Sequence, residues 1–195
     1  NQAVRALTSA SSDFYFNPKL GFDQTPMIGP AVGCLFIARE DQLAAMAAHQ
    51  KQLAIDVPDV ESLSVAEACK RVPVLDPDYV AAAVYEPHSA TLDVNEIHGN
   101  YLREAKKAGA VLKLNAGLSA AHLTDGGAWK IETSSGQFKA DKIVNAAGAW
   151  ADGIAEICGV TPVGIQPMRR TAIIFDGPQG VAPDNWPLLL DVDDN

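Results

Sequence analysis

The sequence predicts an α/β chain with a mixed sheet and a β-meander, and three observations carry that prediction. Apolar, strand-like runs alternate with segments of helical periodicity through the first half of the chain. Three short runs between residues 118 and 140 are then separated by hairpin chemistry. Last, an apolar run from Ile143 passes through the small residues Ala146, Ala147 and Gly148 into a further helix.

Taken in order, residues 2–16 place Val4, Leu7, Phe14 and Tyr15 among small polar residues, which predicts a helix. Asn17-Pro18 ends it, because the residue before proline is pushed out of the helical region. Gly29-Pro30 reads as a turn. Residues 33–39 read as a buried strand. Residues 40–54 read as an alanine-rich helix with Leu43, Met46, Ala47 and Leu53 available for one face. A short helix over 65–71 and a proline-containing link lead to a strand over 80–86. Asp93, followed three residues later by Glu96, forms the pattern of a capping box. Ile97, Tyr101, Ala105 and Ala108 then repeat at helical spacing until Gly109.

Strands are expected over 110–114, 118–123, 128–133, 137–140 and 142–147. Asp125-Gly126-Gly127 and Ser134-Ser135-Gly136 serve as turns. A helix over about 150–158 follows, then a strand over 170–175.

A chain of 195 residues with 48% hydrophobic and 20% charged residues is globular in composition. Its net charge of -9 argues against nucleic acid and anionic membrane surfaces as partners. No apolar run reaches the roughly 18–20 residues that a transmembrane helix needs. Cys34, Cys69 and Cys158 are far apart and odd in number, which argues against a disulfide framework and against a cysteine zinc site. The four histidines show no ligand spacing, so no metal site is expected.

The stretch 143–151, Ile-Val-Asn-Ala-Ala-Gly-Ala-Trp-Ala, is the most informative. Ala146, Ala147 and Gly148 have almost no side chain to hold a ligand at a distance, and Gly148 can adopt backbone angles closed to other residues. A helix starting there would turn N–H groups toward an anion such as a phosphate. The structural alternative is a tightly packed strand-to-helix turn.

Around this turn the order of segments is distinctive: 109–118 (GAVLKLNAGL), Trp129-Lys-Ile-Glu-Thr, 134–141 (SSGQFKAD) and 159–170 (GVTPVGIQPMRR). Together they resemble the D-amino-acid oxidase and dehydrogenase superfamily of FAD-dependent oxidoreductases, the group of glycine oxidase, sarcosine oxidase and D-amino-acid dehydrogenase. The resemblance is specific from about Leu92 to Arg170. It implies an α+β substrate domain joined to part of an FAD-binding Rossmann-like domain. On that plan residues 1–90 belong to the substrate domain, 91–160 to the FAD domain with its meander, and 161–195 return to the substrate domain. The family's G-x-G-x-x-G fingerprint is absent, since no two glycines stand two residues apart. The chain is therefore expected to be an internal portion of a longer protein, inactive by itself.

The resemblance further implies that FAD contacts Ala146, Ala147, Gly148 and Trp150, and that Leu118 meets the adenine through its backbone. The implied reaction is oxidation of a small amine or amino acid. A hydride passes to the flavin, and the imine is then hydrolysed. The electron acceptor stays open between oxygen and a carrier. The implied location is cytoplasmic, peripheral to the inner membrane if the enzyme is a dehydrogenase.

Arg169 and Arg170 are candidates for binding a substrate carboxylate, because guanidinium groups pair with carboxylates through two parallel hydrogen bonds. Neighbours in a strand face opposite ways, so one of the two at most can face the flavin. A surface or inter-domain ion-pair role is the competing reading, and the arginine that clamps carboxylate in glycine oxidase-like members has no counterpart in this chain. No residue is identified as catalytic. Asp152 is expected to stabilise the helix dipole, and the aspartates at 191, 193 and 194 are expected to be solvated. Two other readings stay open: a flavoenzyme of the glycerol-3-phosphate dehydrogenase type, and a non-catalytic binding module.

Overall fold

A computed structural model describes residues 2–19, 21–22, 25–169, 171–174, 176–177, 180 and 183–193. It is a mixed α/β structure, as the alternation of runs predicts. The chain divides into two compact units: 1–107 with 176–195, and 108–175.

The first unit is built on a four-stranded mixed sheet. We label its strands and helices in chain order: α1 (Gln2–Phe16), β1 (Ile28–Ala31), β2 (Cys34–Ala38), α2 (Leu43–Leu53), β3 (Glu61–Leu63), α3 (Val65–Arg71), β4 (Ala82–Glu86), β5 (Ala90–Leu92) and α4 (Val94–Lys107). The sheet order is β3-β4-β2 followed by a last strand, Leu188–Asp191, and β1 pairs with β5 in a separate ribbon. The central strand Cys-Leu-Phe-Ile-Ala is apolar throughout because both of its faces are covered. Leu35 and Ile37 pack with Ala83 of β4, with Ala68 of α3 and with Val72 just beyond that helix. Ala38, on the other face, packs with Val84 and with Met46 of α2. The period-two alternation thus sorts one strand into two cores.

Cys34 and Glu86 lie opposite each other in the β2–β4 ladder. Burial first, and the Glu86 charge second, push the Cys34 thiol up to about 11. Glu86 is itself buried, and its carboxylate accepts the amides of His88 and Ser89 and the Ser89 hydroxyl. Phe14 of α1, Phe22 and Tyr101 of α4 form an aromatic cluster with ring centroids 5.0–6.1 Å apart.

Several expectations are corrected here. Gly29-Pro30 lies inside β1, where a proline is tolerated because, among the described residues, the ribbon has only two strands and each has a free edge. The capping box at Asp93 is only half formed. Asp93 accepts the Glu96 amide at 2.9 Å, but the Asp93 amide goes to the Met27 carbonyl and Glu96 takes the Thr25 hydroxyl at 2.5 Å. A reciprocal box stands at Ser64 and Glu67 instead, and it starts α3. There the hydrogen bonds from the Ser64 hydroxyl and amide hold the Glu67 carboxyl below its usual range.

The segment 188–191, not expected as a strand, pairs parallel to β2 and forms the sheet's fourth strand. Asp191 at its end is not simply solvated: it takes hydrogen bonds from Arg39, Tyr79, Gln42 and the Asp193 amide.

The second unit holds the expected meander, β6 (Leu118–Leu123), β7 (Trp129–Thr133) and β8 (Gly136–Ala140), antiparallel in that order. Gly127 and Gly136 take positive φ at its two turns. The expected strands at 110–114 and 142–147 do not form, and residues 171–174 carry no ladder either. A strand exists only through a hydrogen-bonded neighbour, and no described residue pairs with these segments. Most of their side chains stand out in solvent, with Val111 77% and Val144 87% exposed.

Candidate functional site

The small-residue turn lies in the second unit. Asn145 sets it up from within: its side-chain oxygen accepts the Ala147 amide at 3.3 Å, and its side-chain nitrogen donates to the Ala151 carbonyl at 2.8 Å. This is asparagine's usual role of closing a local turn with its side chain. Gly148 follows with φ +57, a left-handed conformation that disfavours any residue with a Cβ. A short 3-10 turn, Gly148–Trp150, runs into α5 (Ala151–Ile157), which packs against β6.

The space beside Gly148 is open: a Cβ built there would meet no atom within 4 Å. Trp150 is 78% exposed. Ala147 is half-buried and Ala146 is exposed. Bare backbone, a left-handed glycine and a flat indole at one turn fit the approach of a bulky planar group such as a flavin dinucleotide. Leu118 opens β6 opposite Thr133 and is half-buried.

The structure assigns Asp152 more than an electrostatic part. Its carboxylate accepts the backbone amides of Val163, Gly164 and Ile165 at 3.1, 2.9 and 2.7 Å. It thereby anchors the chain that leads to the arginine pair. Arg169 is exposed, and Arg170 lies outside the described residues. Sequence reasoning missed both braces, Asn145 and Asp152. An asparagine two residues ahead of a tight turn is a readable signal. Asp152's partners, 11–13 residues further along the chain, are not readable from the sequence.

The first unit contains a cavity of about 750 Å³ whose lining includes Leu7, Tyr15, Ile28, Phe36, Leu53 and Leu92. Arg5 and Asp56, paired at 3.1 Å, also line it. This volume lies in the range that small-molecule sites occupy. Among the described residues, no helix is long and apolar enough to cross a membrane.

Comparison with known proteins places these features in a family. Human mitochondrial dimethylglycine dehydrogenase is 33% identical over 88 residues, which is 45% of this chain and 10% of that protein. The crystal structure of iminodiacetate oxidase from Chelativorans sp. BNC1 superposes with a TM-score of 0.70 at 25% identity, covering 96% of this chain and 51% of that one. The FAD-bound L-α-glycerophosphate oxidase from Mycoplasma pneumoniae superposes with a TM-score of 0.69 at 21% identity, over 80% of this chain and 42% of that one. At that identity the last likeness speaks to fold alone. The chain thus spans about half the length of these structural relatives and matches a tenth of the human dehydrogenase. The family model described as DAO, FAD dependent oxidoreductase, matches residues 16–195, and the chain belongs to that family.

Proposed function

We propose that this chain forms part of an FAD-dependent oxidoreductase that oxidises a small amine or amino acid. The observation that carries the reading is the turn at 145–150: bare, left-handed at Gly148 and open to solvent, in a chain of the FAD dependent oxidoreductase family. A module that only bound protein would have no need of a turn stripped to backbone.

In this reading Ala146, Ala147, Gly148 and Trp150 hold the flavin dinucleotide, and Leu118 meets its adenine end. Bound FAD would supply a two-electron acceptor for the hydride leaving the carbon beside the substrate nitrogen. The chain's own residues bind and orient. Asn145 keeps the turn closed, and Arg169 or Arg170 pairs with a substrate carboxylate. Residues 1–90 and 161–195 contribute to the substrate domain and 91–160 to the FAD domain. The cavity in the first unit is lined, Leu92 aside, by residues from 1–90, which supports their part of the substrate-domain assignment. The compounds named in two of these relatives, dimethylglycine and iminodiacetate, are amines that carry carboxylates, which suits a guanidinium partner.

The test is an absorbance spectrum of the intact protein, then an anaerobic titration with glycine, sarcosine, dimethylglycine, a panel of D-amino acids and glycerol 3-phosphate. A flavin spectrum that bleaches with one of them supports the reading and names the substrate. Bleaching by glycerol 3-phosphate alone moves the protein to the phosphate-substrate branch. No flavin bound, and none gained on adding FAD, overturns the reading.

A further inference from the structure

We propose that Asp152 is a positioning residue for substrate binding. It holds the arch at Gly164, and through it the segment ending at Arg169, on the helix that begins at the flavin-facing turn. The inference rests on the function proposed above and deepens it.

The geometry is specific. Three successive amides, those of Val163, Gly164 and Ile165, converge on one carboxylate, the first on Oδ1 and the other two on Oδ2. Gly164 takes φ +82, and the left-handed residue turns consecutive N–H groups to one side, forming a concave nest for an anion. Here the anion is the chain's own side chain. Hydrogen bonds to an ionised acceptor are roughly twice as strong as neutral ones.

Little else fixes this stretch. Residues 161–169 belong to no helix or strand, and Val163 and Met168 are 83% and 86% exposed. Arg169 stands four positions beyond Ile165, with Pro167 between them stiffening the backbone. Four residues reach at most about 14 Å, so anchoring the arch confines where the guanidinium can go. A carboxylate clamp works only when its guanidinium is held in place before the ligand arrives.

The two braces grip different segments. Asn145 closes the flavin-facing turn, whereas Asp152 holds the arch. Their effects should therefore separate, and the experiment uses that. In the flavin-bound intact protein, wild type is compared with Asp152→Ala, Asp152→Asn and Arg169→Ala. Three quantities are read: amide exchange at 163–165, the FAD dissociation constant, and acetate affinity from the flavin absorbance change.

For Asp152→Ala we expect faster exchange of the three amides, about tenfold weaker acetate binding and unchanged FAD affinity. Asp152→Asn, which keeps one acceptor oxygen, should recover part of both losses, and it decides the matter if the alanine variant fails to fold. Adding Asp152→Ala to Arg169→Ala should weaken acetate no further. Wild-type amide exchange in the Asp152 variants overturns the proposal. So does wild-type acetate affinity in Asp152→Ala or in Arg169→Ala. If the wild-type protein binds no flavin, the functional reading fails on its own, while the exchange measurement still decides whether Asp152 holds the arch.

Discussion

Gly33 shows how far one residue can be constrained. It takes φ +78, and a Cβ at this position would run into the ring of Tyr85. That ring is itself held, by a hydrogen bond to the Val32 carbonyl and by Arg71 stacked 3.8 Å from its centroid. Gly33→Ala should therefore cost about 2–4 kcal/mol in urea unfolding, the sum of left-handed strain and overpacking.

His49 gives a pH dependence. Its ring lies 4.3 Å from that of Phe36, its Nε2 is buried without a hydrogen-bond partner, and burial lowers its pKa below 6.5. The folded state takes the proton less readily than the unfolded one. Its contribution to stability is therefore full above pH 6.5 and lost as pH falls through the folded pKa. The thermal midpoint should drop on going from about pH 7 to about pH 5, and less so in His49→Leu. An equal drop in both proteins would exclude His49 as the cause. At the turn proposed to hold the flavin, Asn145→Ala should weaken FAD binding about tenfold by freeing the Ala147 amide and the Ala151 carbonyl, measured by flavin fluorescence.

At the scale of elements, local signals succeeded where an element satisfies itself. Helix α4 follows from its apolar spacing, and the meander follows from its glycine-bearing turns. Helix α3 is another self-contained case. Ser64→Ala should destabilise the first unit by about 1 kcal/mol, read from urea midpoints, because the Glu67 amide loses its acceptor. Local signals failed where an element depends on a distant partner. The runs at 110–114 and 142–147 have strand composition and yet pair with nothing described. Conversely, Leu188–Asp191 becomes a strand because β2, about 150 positions earlier, presents a free edge to it. Composition reports what a segment favours, and a ladder also needs a neighbour.

At the scale of the molecule, the second unit exposes an unusual amount of apolar surface. Val111, Leu114, Val144, Val163, Met168, Ile173 and Ile174 are each more than 70% exposed. Surfaces of this kind mark interaction sites or aggregation liabilities. The 195-residue chain expressed by itself should therefore bind a hydrophobic dye such as ANS strongly and self-associate in sedimentation. A monodisperse monomer that leaves the dye dark would show that these residues find cover within the chain.

The sequence by itself determined the mixed α/β class, the meander and the bare turn, because periodicity, turn chemistry and the absence of side chains act over a few residues. The order of its segments also pointed to the family to which the chain belongs. Only the tertiary structure decided that Asp152 is a latch and not merely a helix-end charge. Only it showed that Asp191 sits in a hydrogen-bonded network with Arg39 and Tyr79, and that one apolar strand serves two cores. Each of these depends on groups far apart in the chain meeting in space, and no local pattern records such a meeting.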